Sequence, residues 1–258
     1  MSDFISISSK DNPLIKLVCL LQKSSKARKE QGLFVLEGLR ICLDAAENSI
    51  QFDKLIVSKS AYEKHKNQII GFEEISECCY ILTDNLFKKI SDTDSPQGII
   101  AVAKMPIIKR EIDKNGRYIA LENLQDPSNL GAISRTAEAL GVSGIILASG
   151  CDPYSPKSLR ASMGTLLRMP LYITNDLMGF IKASQLYSYG CVVENNAAKI
   201  NDITFPNGSV VIIGNEANGL TDEVESEVDE LITIPMKGNA ESLNAAVAAA
   251  ISMWEMMK

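Results

Sequence analysis

Asn129 and Arg135 stand six residues apart in Asn123-Leu-Gln-Asp-Pro-Ser-Asn-Leu-Gly-Ala-Ile-Ser-Arg-Thr-Ala-Glu-Ala-Leu-Gly141. Asp126, Ser128 or Asn129 can cap a helix there, Leu130, Ile133, Ala137 and Leu140 share one face of it, and Gly141 stops it. Arg135 lies off that stripe. A guanidinium outside the core is well shaped to grip a phosphate with two parallel hydrogen bonds, although an arginine merely solvated on a helix meets the same pattern. A second segment, Val210-Val-Ile-Ile-Gly-Asn-Glu-Ala-Asn-Gly-Leu220, sets Gly214 and Gly219 on either side of Glu216 just past an apolar strand. The glycines allow close backbone approach to a flat ligand, with Glu216 as an acceptor; a tight turn explains them equally well. The spacing is neither G-x-G-x-x-G nor G-x-x-x-x-G-K-[ST], so a Rossmann dinucleotide site and a P-loop are both unsupported. A third segment, Ile234-Pro-Met-Lys-Gly-Asn-Ala-Glu-Ser-Leu-Asn-Ala-Ala-Val247, ends a strand at Pro235 and bends at Gly238. All three place Gly, Pro, Asn or Glu at the mouth of an apolar element, where free backbone N–H groups can meet a ligand.

The elements that must carry these residues form an α/β pattern. From Tyr118 onward, Tyr118 to Leu121, Gly144 to Leu147, Cys191 to Val193, Val210 to Ile213 and Leu231 to Ile234 are short apolar runs, most of them separated by helical segments. That arrangement predicts a parallel sheet covered on both faces. Glu241 or Ser242 leads into a last helix reaching about Met257, with Leu243, Val247, Ala250, Ile251 and Trp254 as its apolar face and four alanines narrowing the rest. Six acidic residues between Asp222 and Glu230 predict a solvated helix face. The first half also alternates strands and helices. Leu14, Leu17, Val18 and Leu21 recur at helical spacing, Leu33 to Glu37 is strand-like, and Gly38 to Ala46 opens a helix ending near Asn48. Strands follow at Lys54 to Val57, Cys79 to Leu82 and Gly98 to Ala103, with a helix over Leu86 to Ile90. Asp113-Lys-Asn-Gly116 is a polar turn. The division is therefore residues 1–105, a linker at 106–116, and 117–258.

The three segments resemble the sequence motifs of the SpoU branch of the SPOUT methyltransferases, also called the TrmH family. The resemblance implies transfer of a methyl group from S-adenosylmethionine to a ribose 2′-hydroxyl in RNA, on a C-terminal domain tied in a deep trefoil knot and paired as a homodimer. It implies Asn129 as the motif's invariant Asn, Arg135 as the catalytic Arg, and Glu216 as the invariant Glu. Gly214, with Gly219 closing the same loop, is implied at the cofactor. Backbone groups of Ile234 and Met236, with Leu243, line the adenosine pocket, and Ser242 and Asn244 stand near the reacting centre. Arg160-Ala-Ser-Met-Gly164 also resembles a family segment, with a plain loop an equal reading. Residues 1–105 resemble the family's L30e-like RNA substrate-binding domain through Ser8 to Lys16, Phe34 to Arg40 and Ser95 to Ala101. That module favours 23S rRNA over tRNA as substrate; base methylation by a related knotted enzyme, a resistance methyltransferase and a non-catalytic RNA binder are the alternatives.

Composition bounds the rest. With 258 residues and 46% hydrophobic content the chain can bury a sizeable core. No apolar run spans a bilayer and no signal peptide opens the chain, so a cytoplasmic location is expected. Six cysteines without a C-x-x-C pair, and a single histidine, His65, leave little for a metal site. The net charge of -6 argues against coating nucleic acid by a bulk positive field. Two stretches run against it: Lys10, Lys16, Lys23, Lys26, Arg28, Lys29 and Arg40, and then Lys104, Lys109, Arg110, Lys114 and Arg117. Beside an RNA-modifying motif set, both are expected to face RNA.

Overall fold

The computed structural model describes residues 4–106, 111–194 and 196–258. They form two units, Met1–Ile107 with Tyr154–Arg160, and Ile108–Pro153 with Ala161–Lys258. Residues 107–110 of the expected linker, with Lys109 and Arg110, fall outside the described residues.

The first unit runs β1 (Ile5–Ile7), α1 (Pro13–Lys23), α2 (Ser25–Gln31), β2 (Leu33–Glu37), α3 (Leu39–Glu47), β3 (Phe52–Ser58), α4 (Lys59–Lys64), α5 (Lys66–Glu73), β4 (Ser76–Leu82), α6 (Asp84–Ile90) and β5 (Ile99–Lys104). Its sheet has the order β1-β4-β3-β5-β2, with β1, β4 and β3 parallel and β5 antiparallel to both its neighbours. Helix starts follow the sequence closely. The Asn12 side chain accepts from the Leu14 amide with Pro13 opening α1, and Ser58 and Thr83 cap α4 and α6 in the same way. Leu14, Ile15, Val18 and Leu21 of α1 pack with Leu86, Phe87 and Ile90 of α6 over Val35, Ile56, Ile100 and Val102. The first basic stretch is not one surface, because Arg28 is 3% exposed and donates to the Leu21 and Gln22 carbonyls at the end of α1. There it satisfies helix-end acceptors rather than facing RNA.

The chain continues with β6 (Arg117–Glu122), α7 (Pro127–Leu140), β7 (Gly144–Ala148), α8 (Pro156–Ser162), α9 (Thr165–Arg168), β8 (Leu171–Thr174), α10 (Leu177–Ser184), β9 (Tyr187–Val192), β10 (Ala198–Lys199), β11 (Ser209–Ile213), α11 (Asp222–Glu227), β12 (Glu230–Thr233) and α12 (Ala245–Met256), all in the second unit except most of α8, whose Pro156–Arg160 belong to the first. The seven strands are all parallel, in the order β10-β12-β9-β11-β6-β7-β8. Alternate residues of one strand reach different cores. Ile119 and Leu121 of β6 meet α7 and α12, while Tyr118 and Ala120 meet α10 and α11. Burial on both faces explains why these strands are unbroken apolar runs.

Three expectations change here. The helix α12 begins at Ala245 on an Asn244 cap, not at Glu241 or Ser242. Its buried face is Ala245, Ala249, Ser252, Met253 and Met256, whereas Val247 and Trp254 are 47% and 58% exposed. The second basic stretch is largely committed within the fold: Lys104 pairs with Glu77, Lys114 donates to Gln185, and Arg117 donates to the Met256 and Phe205 carbonyls.

Candidate active site

The amino end of α7 is the foundation of the site. Asp126 caps the helix by accepting from the Ser128 amide at 2.9 Å, and Pro127 follows at the first helical position. The remaining amides are met from another part of the chain. Glu216 accepts from the Gln125 amide at 3.1 Å, the Asp126 amide at 3.1 Å and Asn129 Nδ2 at 2.9 Å. A carboxylate at a helix amino terminus is favoured by free N–H groups and by the helix dipole. Burial pushes the Glu216 carboxyl up, but the bonds from Asn129, Asp126 and Gln125 outweigh it and hold the group below its ordinary value.

The loop presenting Glu216 is closed on itself. Asn215 and Gly219 exchange backbone hydrogen bonds at 2.8 and 3.0 Å, and Asn215 Oδ1 accepts from the Ala217 and Asn218 amides. A Cβ on Gly214 would stand 2.2 Å from the Gly219 carbonyl carbon, and Gly219 has φ +71°. The turn therefore accounts for both glycines. The cap of α12 completes a junction of all three motif segments, since Asn244 Nδ2 donates to Asn129 Oδ1 at 3.1 Å. Asn244 Oδ1 in turn accepts from the Ala246 and Val247 amides, capping α12. Each amide side chain uses its oxygen and its nitrogen on different partners, which fixes its orientation.

Beside this junction lies a cavity of about 320 Å³. Gly214, Glu216, Gly219, Ile234, Met236, Ser242 and Leu243 line it, bringing together seven of the ten residues singled out from the sequence. Asn129 and Asn244 stand behind it as the junction. Arg135 is elsewhere on α7: it is exposed, six residues beyond Asn129 and so about a third of a turn round the helix. Among the described residues no hydrogen bond or ion pair engages it.

The cavity has walls that the motifs did not announce. Cys191 to Glu194, at the carboxyl end of β9, and Glu225 of α11 also line it. In the sheet β9 sits between β12 and β11, and the crevice beyond the carboxyl ends of parallel strands is the usual ligand position in open α/β sheets. The acidic stretch is thus not merely solvated: Glu225 faces the cavity, Glu227 pairs with Lys182, and Asp229 accepts from Ser188. Burial pushes the Cys191 thiol up and that of Cys151 up to about 11, away from the thiolate form that a nucleophile needs.

The Arg160 to Gly164 segment takes a packing role. A Cβ on Gly131 of α7 would lie 2.4 Å from Ala161 Cβ, and the Ser134 hydroxyl meets that of Thr165 at 2.6 Å. Among the described residues no group of three or more His, Cys, Asp or Glu is placed to hold a metal ion, and no helix is long and apolar enough to cross a membrane.

Known proteins share this architecture and these segments. Residues 116–254 match the SpoU rRNA Methylase family, and residues 12–101 match the MRM3-like substrate binding domain. A tRNA/rRNA methyltransferase of Synechocystis sp., slr1673, is 32% identical over 98% of this chain and 94% of its own length. The 23S rRNA (guanosine(2553)-2′-O)-methyltransferase RlmP of Bacillus subtilis is 29% identical over 90% of this chain and 92% of its own. The solved structure of an AdoMet-bound rRNA methyltransferase from Sinorhizobium meliloti superposes with a TM-score of 0.86 at 28% identity, covering 97% of this chain and 96% of that one.

Proposed function

The chain belongs to the SpoU rRNA methylase family, and from that premise we propose that it transfers a methyl group from S-adenosylmethionine to a ribose 2′-hydroxyl of 23S rRNA. The observation that carries this reading is the Glu216–Asn129–Asn244 junction, which draws all three motif segments to the rim of one cavity. The 23S rRNA specificity of RlmP supports the choice of RNA.

The cavity suits S-adenosylmethionine. Its volume is that of a small-molecule site. Ile213, Leu220, Leu243 and Ala248 offer apolar walls for the adenine, Gly214, Gly219, Ile234 and Met236 offer main-chain groups, and Glu194 and Glu225 offer carboxylates to an ammonium or ribose hydroxyls. Bound there, the cofactor supplies an electrophilic methyl on a sulfonium.

The chain's own part is positioning and electrostatics. Arg135 clamps a substrate phosphate and stabilises the emerging alkoxide, being a cation rather than a base near neutral pH; the 2′-hydroxyl would pass its proton to solvent water as its oxygen takes the methyl, with S-adenosylhomocysteine as the released product. Glu216 is a positioning residue, because both its oxygens already accept hydrogen bonds. Asn129 and Asn244 hold the loops in register, and Ser242 at the cavity orients the ribose. The same reading includes a trefoil knot in the second unit, supported by the return of the 214–220 and 234–244 segments to one cavity, and a cytoplasmic site of action. It also includes a homodimer with the active site near the two-fold interface, supported by the exposed Val247 and Trp254.

The test is methylation of 23S rRNA and of tRNA, each prepared from cells lacking the protein, with tritiated S-adenosylmethionine. Label at one alkali-stable ribose in 23S rRNA is expected. Label confined to tRNA, or to a base, overturns the reading.

A further inference from the structure

The first unit holds a second cavity, of about 440 Å³, that the proposed methyl transfer does not use. It opens where Ser58 ends β3, Asp84 follows β4, Leu39 follows β2 and Gly98 precedes β5, at the end of the sheet where β2, β3 and β4 finish. Its apolar walls are Leu39, Ala61, Phe87 and Pro96. Lys64, His65 and Lys88 stand around it, and among the described residues no hydrogen bond or ion pair engages any of their side chains. The one acid, Asp84, also lines the cavity, where it accepts from the Ser60 hydroxyl at 2.5 Å and the Ser60 amide at 3.3 Å. The hydroxyl bond holds that carboxyl below its ordinary range. Two lysines against one carboxylate leave the cavity one net positive charge, with the Asp84 oxygens partly occupied by Ser60.

Two features show that the cavity is preformed. Gly98 has φ +79°, and a Cβ there would stand 2.4 Å from Ser58 Oγ and 2.6 Å from Ala61 Cβ, so only glycine lets this loop lie against β3. The Ser58 amide bonds the Gly98 carbonyl at 2.8 Å and pins it. Gln97 is oriented as well. Its Oε1 accepts from the Leu39 amide at 2.7 Å, which leaves Nε2 as a donor with no partner among the described residues.

We propose that this cavity binds a single unpaired nucleotide of the RNA substrate, with its phosphate held by Lys64 and Lys88, its base against Leu39 and Pro96, and a base acceptor met by Gln97 Nε2. The inference rests on the RNA reading above and extends it by naming a recognition site away from the methyl-transfer cavity. Unstacked bases with their edges open are what sequence-specific RNA readers take up. The lysines supply a phosphate contact, and the oriented amide supplies discrimination between base edges.

The test uses the full-length protein, with filter binding of radiolabelled 23S rRNA over a range of salt, calorimetry with S-adenosylmethionine, and steady-state methylation. Removing both lysines (Lys64→Ala with Lys88→Ala) is expected to weaken rRNA binding about tenfold and to lower the salt slope of log K by about 0.7 for the lost phosphate contact. It should raise KM for RNA, restore kcat at saturating RNA, and leave S-adenosylmethionine affinity unchanged, which also reports an intact fold. Gln97→Ala should weaken binding with no change in salt slope. If wild type binds and methylates 23S rRNA while both variants match it within twofold, the nucleotide site is refuted and the methyltransferase reading stands. Binding of free AMP or UMP that the lysine change abolishes, with RNA affinity unaltered, identifies a mononucleotide site and also overturns the proposal. A wild type that binds no RNA removes the premise, and the proposal falls with it.

Discussion

Glu216 has its two oxygens on three donors at the amino end of α7, so replacing it breaks the tie between loop and helix. Glu216→Gln turns one acceptor into an amide that faces donors. Its S-adenosylmethionine affinity is expected to fall about tenfold, as for loss of a hydrogen bond to a charged group. Because the folded carboxyl is held below its ordinary value, its contribution to stability is complete above the unfolded pKa of about 4.3 and is lost as pH falls through the lower folded value. The gap in urea midpoint between wild type and Glu216→Gln should therefore be constant from pH 7 to about 5 and narrow below pH 4. A gap undiminished at pH 3 would contradict the ionised assignment. Arg135→Ala belongs to the other class: the side chain is exposed and unengaged, so Tm and cofactor affinity should hold while methyl transfer drops by about a hundredfold or more, typical of losing one transition-state contact. Activity within a few-fold of wild type would remove Arg135 from the catalytic role. Asn129, Glu216 and Asn244 are legible in the sequence through the resemblance of their three segments to the family's motifs. Their partnership is not legible, since 87 residues separate Asn129 from Glu216 and 115 separate it from Asn244. Glu194 and Glu225 carry no motif signal at all, and strand order alone brings them to the cavity.

The last helix shows where periodicity runs out. Ala245 to Ala250 are apolar at every position and Trp254 stands opposite Met253 and Met256, so a period of 3.6 has no phase to reveal the inner face. Packing against α7 decides it, and Ala249 becomes wholly buried while Val247 and Trp254 stay outside. Ala249→Arg consequently forces a charge into the core and is expected to unfold the chain rather than report on assembly. Trp254→Arg and Val247→Arg, on the exposed face, should leave the circular dichroism spectrum intact and convert the proposed dimer to a monomer by light scattering. A wild type that is monomeric while turning over, or a Trp254→Arg variant that stays dimeric with full activity, would remove α12 from the interface. Elsewhere the strands β6, β7 and β11 and the helices α1, α3, α6 and α7 are readable from their patterns, whereas β9, expected only over Cys191 to Val193, runs Tyr187–Val192. The edge strands β8 and β10, four and two residues long, are too short to show alternation.

At the scale of the molecule, the sequence pattern separates two domains near residue 106, but the structure assigns Tyr154–Arg160 to the first unit. Those residues lie far beyond any composition break, and their membership follows from packing: the Tyr154 ring stands 5.0 Å from that of Phe34, and Leu159 is 1% exposed. Deleting residues 1–105 thus removes more than an RNA-binding module. It strips the cover from Tyr154 and Leu159, so the remaining fragment should show a lower Tm and a greater tendency to associate than the intact chain, because newly exposed apolar surface is costly in water. Every residue lining the 320 Å³ cavity belongs to the second unit, so calorimetry should still give S-adenosylmethionine binding within a few-fold of the full chain. The fragment should fail on RNA, since Lys64 and Lys88 leave with the deleted residues and the rest of the chain carries the negative excess behind the net charge of -6. Filter binding with 23S rRNA at low and moderate salt measures this directly. A fragment that methylates 23S rRNA at the full rate would overturn the assignment of RNA recognition to the first unit.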